Sequence, residues 1–250
     1  MSQEHFSVNE KRIFKEMKER GRKALETGLV CSLPKEGEIK SGYLIYLVHN
    51  KDIECRISEF SSELSKVLNG NSVLHTNSWG HKKMGNIHTT IATYEMKTVQ
   101  SFNPDRDILH ELSDISDESI YNFLEMRVNG NPSLVLNYSE FIYDESTVIA
   151  ESHGDTKDFF ELTENVIKIA SVGEKKLNKT WGRYISVGRF MKSISPDKLD
   201  KFKELMDRNN TFSNNPNIKD KDNETISLNT GYFMLSNKEY NLFPYSAFYF

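Results

Sequence analysis

The chain has 250 residues, 37% of them hydrophobic and 27% charged, with a formal net charge of -4 at pH 7. That length can bury a sizeable core, and that balance excludes a disordered polyelectrolyte. The slightly acidic total excludes a broad basic surface for gripping duplex nucleic acid, so a nucleic-acid ligand would have to be short or terminal and held in a local pocket.

Ser7-Val8-Asn9-Glu10 has the form of a capping box. With Ile13, Phe14, Met17, Ala24 and Leu25 at roughly helical spacing, it predicts an N-terminal helix over 7–28, packed on the side of the fold. After the Pro34-Lys35-Glu36-Gly37 break, Tyr43 to Val48 is a continuous apolar run of strand length and reads as a central strand. From Asp52, a candidate N-cap, Ile57, Phe60, Leu64, Val67 and Leu68 recur with helical period as far as Gly70. A short strand at 72–75 and a Gly- and Lys-containing turn at 80–85 lead into the strand Asn86 to Tyr94.

On that strand His88 and Thr90 fall on one face, while Ile87 and Ile91 point into a core. Residues 97–117 read mostly as loop with one helical turn around Ile108, Leu109 and Leu112, and 119–127 as a helix closed by Asn129-Gly130-Asn131-Pro132. Strands are expected at 134–143 and 147–151, joined at Asp144-Glu145. Asp155 opens the clearest amphipathic helix, with Phe159, Leu162, Val166, Ile169 and Ala170 on one stripe and Gly173 near its end.

Trp181 to Met191 reads as a strand with Tyr184 and Ser186 on one face and Ile185 and Val187 on the other. Ser195-Pro196 caps a helix through Phe202, Leu205 and Met206. The polar run Asn209 to Glu224 reads as a surface loop, and 225–235 and 245–250 as closing strands. The mixed order with long connections favours an α+β fold; after the first helix it reads strand, helix, strand, strand bearing His88, helix, strand, and then strand, helix, strand at Tyr184, helix, strand, strand, which suggests two similar halves.

The two repeated halves each carry a similar motif strand: His88-Thr89-Thr90 in the first, and Tyr184-Ile185-Ser186, followed by Val187-Gly188-Arg189, in the second. On these residues the chain resembles the 2H phosphoesterase, or LigT-like, superfamily, with tyrosine standing where the second motif histidine is expected; in element order the likeness covers roughly 39–250. The resemblance implies one two-lobed domain over 1–250, with two mostly antiparallel sheets lining a central cleft and helices outside. It implies a metal-independent phosphodiesterase, without cofactor, acting on RNA ends or small nucleotides: a 2′,3′-cyclic phosphate, a 2′,5′-linkage or a cyclic oligonucleotide. His88 would be the general base, Thr90 and Ser186 would hold the phosphate, and Tyr184 would donate a hydrogen bond or a proton. The alternative it leaves is a catalytically degenerate protein that binds or sequesters a nucleotide in the same cleft.

Other residues compete for attention. Arg183 and Arg189 alternate away from Tyr184 and read as surface cations unless a bulge re-aims one of them. His75 and His81 read as loop histidines, either of which could restore a two-histidine site by reaching the cleft. Trp79, Tyr43 and Tyr46 could stack a base, with core packing as the default. Ser152-His153 lacks a nucleophile-elbow glycine pattern and is rejected as a hydrolase pair.

Cys31 and Cys55 have neither zinc-site spacing nor the density of a disulfide scaffold. No run approaches membrane-spanning length, and no signal-peptide pattern precedes the first helix. The expectation is a cytoplasmic protein with no membrane or duplex DNA partner, although a protein exported by a specialised route would look the same.

Overall fold

A computed structural model describes residues 2–27, 37–49, 51–69, 72–74, 87–93, 97–99, 134, 136–170, 177–190, 193–209, 227–236 and 240–249. Its elements, in order, are α1 (Gln3–Thr27), β1 (Ile39–Val48), α2 (Lys51–Leu68), β2 (Ser72–Leu74), β3 (His88–Thr93), β4 (Lys97–Val99), β5 (Asn137–Tyr143), β6 (Thr147–His153), α3 (Lys157–Ala170), β7 (Asn178–Lys179), β8 (Tyr184–Phe190), α4 (Pro196–Arg208), β9 (Ser227–Leu235) and β10 (Tyr240–Tyr249). The fold is α+β. The helix expected at 119–127, all of the surface loop expected at 209–224 except Asn209, His75, Trp79, His81 and Cys31 lie outside the described residues; Asn209 is buried at the end of α4 rather than on the surface.

Among the described residues the strands form one ten-stranded sheet, its main path running β10-β9-β1-β3-β8-β6-β5. Each of its pairings is antiparallel. This differs from the expected pair of sheets facing each other across a cleft: the two motif strands, β3 and β8, are neighbours in a single sheet. With the short strand β7, which the sequence reading does not anticipate, the described elements show one order twice, as β1-α2-β2-β3 and as β6-α3-β7-β8. The short strands are exchanged between the halves, β2 pairing with β8 and β7 with β3.

Strand alternation divides the sheet into an inner and an outer face. The inner face carries Tyr43, Ile45 and Leu47 of β1, Ile91 of β3, Val148 and Ala150 of β6, and Ile185, Val187 and Phe190 of β8. These pack against Ile57, Phe60 and Leu64 of α2, Phe159, Leu162 and Val166 of α3, and Phe202, Leu205 and Met206 of α4. These members of the apolar stripes read from the sequence are therefore buried. On the outer face lie two smaller clusters. One joins Leu44 and Tyr46 to Phe233, Leu235, Tyr240 and Leu242. In the other, Phe14 and Met17 of α1 sit on Ile142 and Ile149, with Trp181 and Tyr184 packed alongside.

Helix α1 begins earlier than the capping-box reading predicts. Ser2 receives the first turn, its Oγ 3.2 Å from the His5 amide. Glu10 is thereby freed from the cap, and it forms a fully buried ion pair with Arg183, Oε2 to Nη2 at 2.8 Å. The Glu10 carboxylate also accepts the Arg183 backbone N–H at 2.6 Å, and Arg183 Nη1 donates to the Asp155 carbonyl at 2.6 Å. Arg183 is therefore a buried staple between α1, β8 and the 153–155 turn, not a surface cation. Gly154 makes that turn with φ of 89°, and its carbonyl accepts from Arg183 Nη2 at 3.2 Å. Farther along α1, Lys18 pairs with Glu140 and Glu151, and Gly21 lets the helix backbone close on the Tyr143 carbonyl, where a Cβ would collide.

Candidate functional site

The motif strands touch through one residue pair, Thr89 with Ile185. Both side chains are fully buried on the inner face. Strand alternation puts the residues on either side of this pair, His88 and Thr90 on β3 and Tyr184 and Ser186 on β8, on the outer face. Beyond that crossing β3 pairs with β7 at Ala92 and Thr93, while β8 pairs with β2 from Gly188 to Phe190. The four sequence-selected residues thus converge at the middle of the sheet. Thr90, Tyr184 and Ser186 are half-buried and His88 is 6% exposed.

Register with the flanking strands extends the site sideways. Thr90 lies opposite Tyr46 of β1, and Tyr46 opposite Asn229 of β9. The Tyr46 ring meets the His88 imidazole edge-on at 5.2 Å between centroids, and the Tyr240 ring stacks on the same imidazole at 6.1 Å. Of the aromatic residues flagged in the first strand, Tyr46 faces the site and Tyr43 belongs to the inner core. Burial raises the phenols of Tyr46 and Tyr240 well above their ordinary range, so both are neutral donors at working pH.

Tyr184 is held by its own neighbourhood. Its ring stacks on Trp181 with centroids 4.4 Å apart. Burial raises its pKa, while the Arg189 charge and hydrogen bonds from Trp181 and Thr180 oppose that shift. The net shift is upward, so the group in the second motif is a protonated phenol and a donor, unable to act as a base at neutral pH.

One exclusion made from the sequence is reversed. The pairing of β6 with β8 shifts register between Val148 and Ile149: Val148 opposes Gly188, Ile149 opposes Ser186, and Val187 is left without a partner. This bulge changes the parity of β8, and Arg189, opposite Thr147, turns to the face that carries Tyr184 and Ser186. Its charge acts on both the Tyr184 and the Tyr240 phenols.

A polar cluster missed by sequence reasoning lies directly behind His88. His49 Nε2 is 3.0 Å from Thr89 Oγ1 and 3.2 Å from Tyr138 Oη, and the two hydroxyls are 2.5 Å apart. Burial, with the His88 charge second, pushes the His49 imidazole down to about 3. The only sequence signal was a histidine ending an apolar strand, which specifies no partner. Ser152 is buried and His153 exposed, so they form no pair. Among the described residues, no group of three or more His, Cys, Asp or Glu could hold a metal ion, and no helix is long and apolar enough to cross a membrane.

No protein-family model, curated protein or solved structure matches the chain.

Proposed function

We propose that the chain is a phosphodiesterase of the 2H type acting on RNA ends or small nucleotides, working without a metal. What carries this reading is the convergence of His88, Thr90, Tyr184 and Ser186 on one face of two neighbouring strands, around the Thr89–Ile185 pair. An imidazole has a pKa of about 6.5 and can take a proton from water near neutral pH. The Thr90 and Ser186 hydroxyls on either side can donate to the non-bridging oxygens of a phosphate held between the strands.

In this scheme His88 removes a proton from water as its oxygen attacks phosphorus, and the bond from phosphorus to a ribose oxygen breaks. The leaving alkoxide is more basic than a phenolate, so Tyr184 can protonate it despite its raised pKa; the proton taken up by His88 then returns Tyr184 to its neutral form. Turnover of a 2′,3′-cyclic nucleotide or a 2′,5′-linked oligoadenylate is the assay. Removing the base should cost ~10² to 10⁴ in rate, so His88→Ala should all but abolish it. Turnover undiminished in that variant sinks the proposal.

The second reading, a nucleotide-binding protein with a degenerate site, is favoured by the neutral phenol of Tyr184, which leaves one titrating group where a paired acid and base would use two. Binding of the same nucleotides without turnover, retained in His88→Ala and weakened in Thr90→Ala and Ser186→Ala, would select it.

A further inference from the structure

Trp181 takes no part in the reaction scheme, yet it joins Tyr184 to two other elements. An extended strand sends residues three apart to opposite faces, so a chain running straight from Trp181 into β8 would part the two rings. Instead the chain bends at Trp181 and Gly182, where Thr180 Oγ1 donates to the Gly182 carbonyl at 2.9 Å. The indole thereby lies on the Tyr184 ring, with centroids 4.4 Å apart and planes 17° from parallel. A face-to-face stack fixes the plane of a phenol ring and hence the direction of its hydroxyl.

The bend is held from two sides. Toward β3, Asn178 and Lys179 of β7 pair with Thr93 and Ala92, and the Thr180 amide donates to the Ile91 carbonyl at 3.1 Å. These contacts fall on the residues that follow Thr90 in the chain. Toward α1, the buried Phe14 ring meets the indole edge-on, at 5.4 Å and 73°. Glu10 seats the helix there by accepting the Arg183 amide, and Gly182 leaves it room, since a Cβ at that position would stand 3.1 Å from Glu10 Cγ. Residues 180–183 are thus anchored to β3 or to α1 immediately before Tyr184. Any apolar side chain at 181 would fill the space beside Phe14, but only a flat ring stacks on the phenol.

We infer that Trp181, clamped between Phe14 of α1 and the attachment of Thr180 to β3, is a positioning residue for the Tyr184 phenol, so that α1 is a working part of the site. This rests on the reading of the His88 face as a phosphodiester site. In that reaction Tyr184 has to reach the leaving oxygen, and a donor displaced by about 1 Å can cost ~10² in rate.

The test is steady-state turnover of adenosine 2′,3′-cyclic phosphate by the full chain, with flipping of the Tyr184 ring followed by NMR in tyrosine-labelled protein. Trp181→Leu should lower kcat by about tenfold or more and leave KM within about twofold of wild type. Phe14→Leu should lower kcat less, and Trp181→Phe, which keeps a flat ring, should retain most of the rate. In a Tyr184→Phe background Trp181→Leu should change kcat no further, because effects that run through one group do not add. The Tyr184 ring should flip faster in Trp181→Leu and in Phe14→Leu than in wild type. Phe6→Leu loosens α1 against Phe159 and Phe160 of α3, about 12 Å of helix from Phe14, so it should lower Tm while leaving kcat and ring flipping unchanged. A loss of kcat that Phe6→Leu shares, or that persists in full in the Tyr184→Phe background, makes Trp181 a packing residue and overturns the inference. If wild type turns nothing over, the hydrolytic reading falls and ring flipping alone decides: unchanged in Trp181→Leu and Phe14→Leu, it overturns the positioning role as well, and faster in both, it upholds that role for a site that only binds.

Discussion

Thr89 pairs with Ile185 at the one point where the two motif strands meet, and the identities of the residues flanking that pair decide what the outer face can do. His88 and Thr90 flank Thr89 and Tyr184 and Ser186 flank Ile185, and strand alternation puts all four on the outer face, so any acid–base division is drawn among them. If Tyr184 limits the proposed reaction as a weak acid, Tyr184→His should raise turnover of a cyclic phosphate by about tenfold or more and turn its pH profile into a bell, as a second imidazole titrates near neutrality. An unchanged or slower rate with a one-sided profile would show that the phenol is the better group there.

The buried Glu10–Arg183 pair tethers α1 to the motif strand β8. Removing one partner of such a pair leaves the other charged and desolvated, so Glu10→Ala should cost about 3–5 kcal/mol in urea unfolding. The double variant Glu10→Ala/Arg183→Met should recover part of that loss. A single variant within a few tenths of wild type would mean that the carbonyls of Gly154 and Asp155 suffice for Arg183.

His49 gives the fold an acid limit. Its folded pKa of about 3 lies below the unfolded value near 6.5, so the unfolded state binds the proton first as pH falls. Its contribution to stability is complete above pH 6.5 and declines toward pH 3, at up to ~1.4 kcal/mol per pH unit. Between pH 6 and 4 the stability of His49→Asn should therefore fall less steeply than that of wild type. Parallel slopes would mean that the imidazole is not held neutral in the folded state.

Glu54 acts in the opposite direction. Burial raises its carboxyl to about 7, so its contribution is complete below pH 4.5 and is lost as pH rises through about 7. Because the group, although buried, sits in the first turn of α2, where the helix dipole favours a negative charge, the gain from neutralising it is modest. Glu54→Gln should stabilise the chain by about 1 kcal/mol at pH 8 and by nothing at pH 4. A gain of equal size at both values would point to packing instead.

Much of the architecture was legible along the chain. The stripes through Phe60 and Leu64, through Phe159 and Val166 and through Phe202 and Met206 are the ones the sheet covers, because a period of 3.6 is a local property of a sequence. Alternation on β3 and on the first part of β8 was equally local, and it set His88 with Thr90 and Tyr184 with Ser186 each on one face of their strand. What the chain alone determined was therefore which side chains share a face of their own strand. Only the tertiary structure decided which strands are neighbours, that Val187 bulges and turns Arg189 toward the site, that Glu10 leaves the helix cap for Arg183, and that His49 waits behind Thr89. Each of these depends on pairing between residues remote in sequence, and a shift of one residue in register reverses every side chain that follows it. The group around Thr89 and Ile185 joins the two kinds of information: its members follow from alternation, and their meeting follows from the order of strands in the sheet.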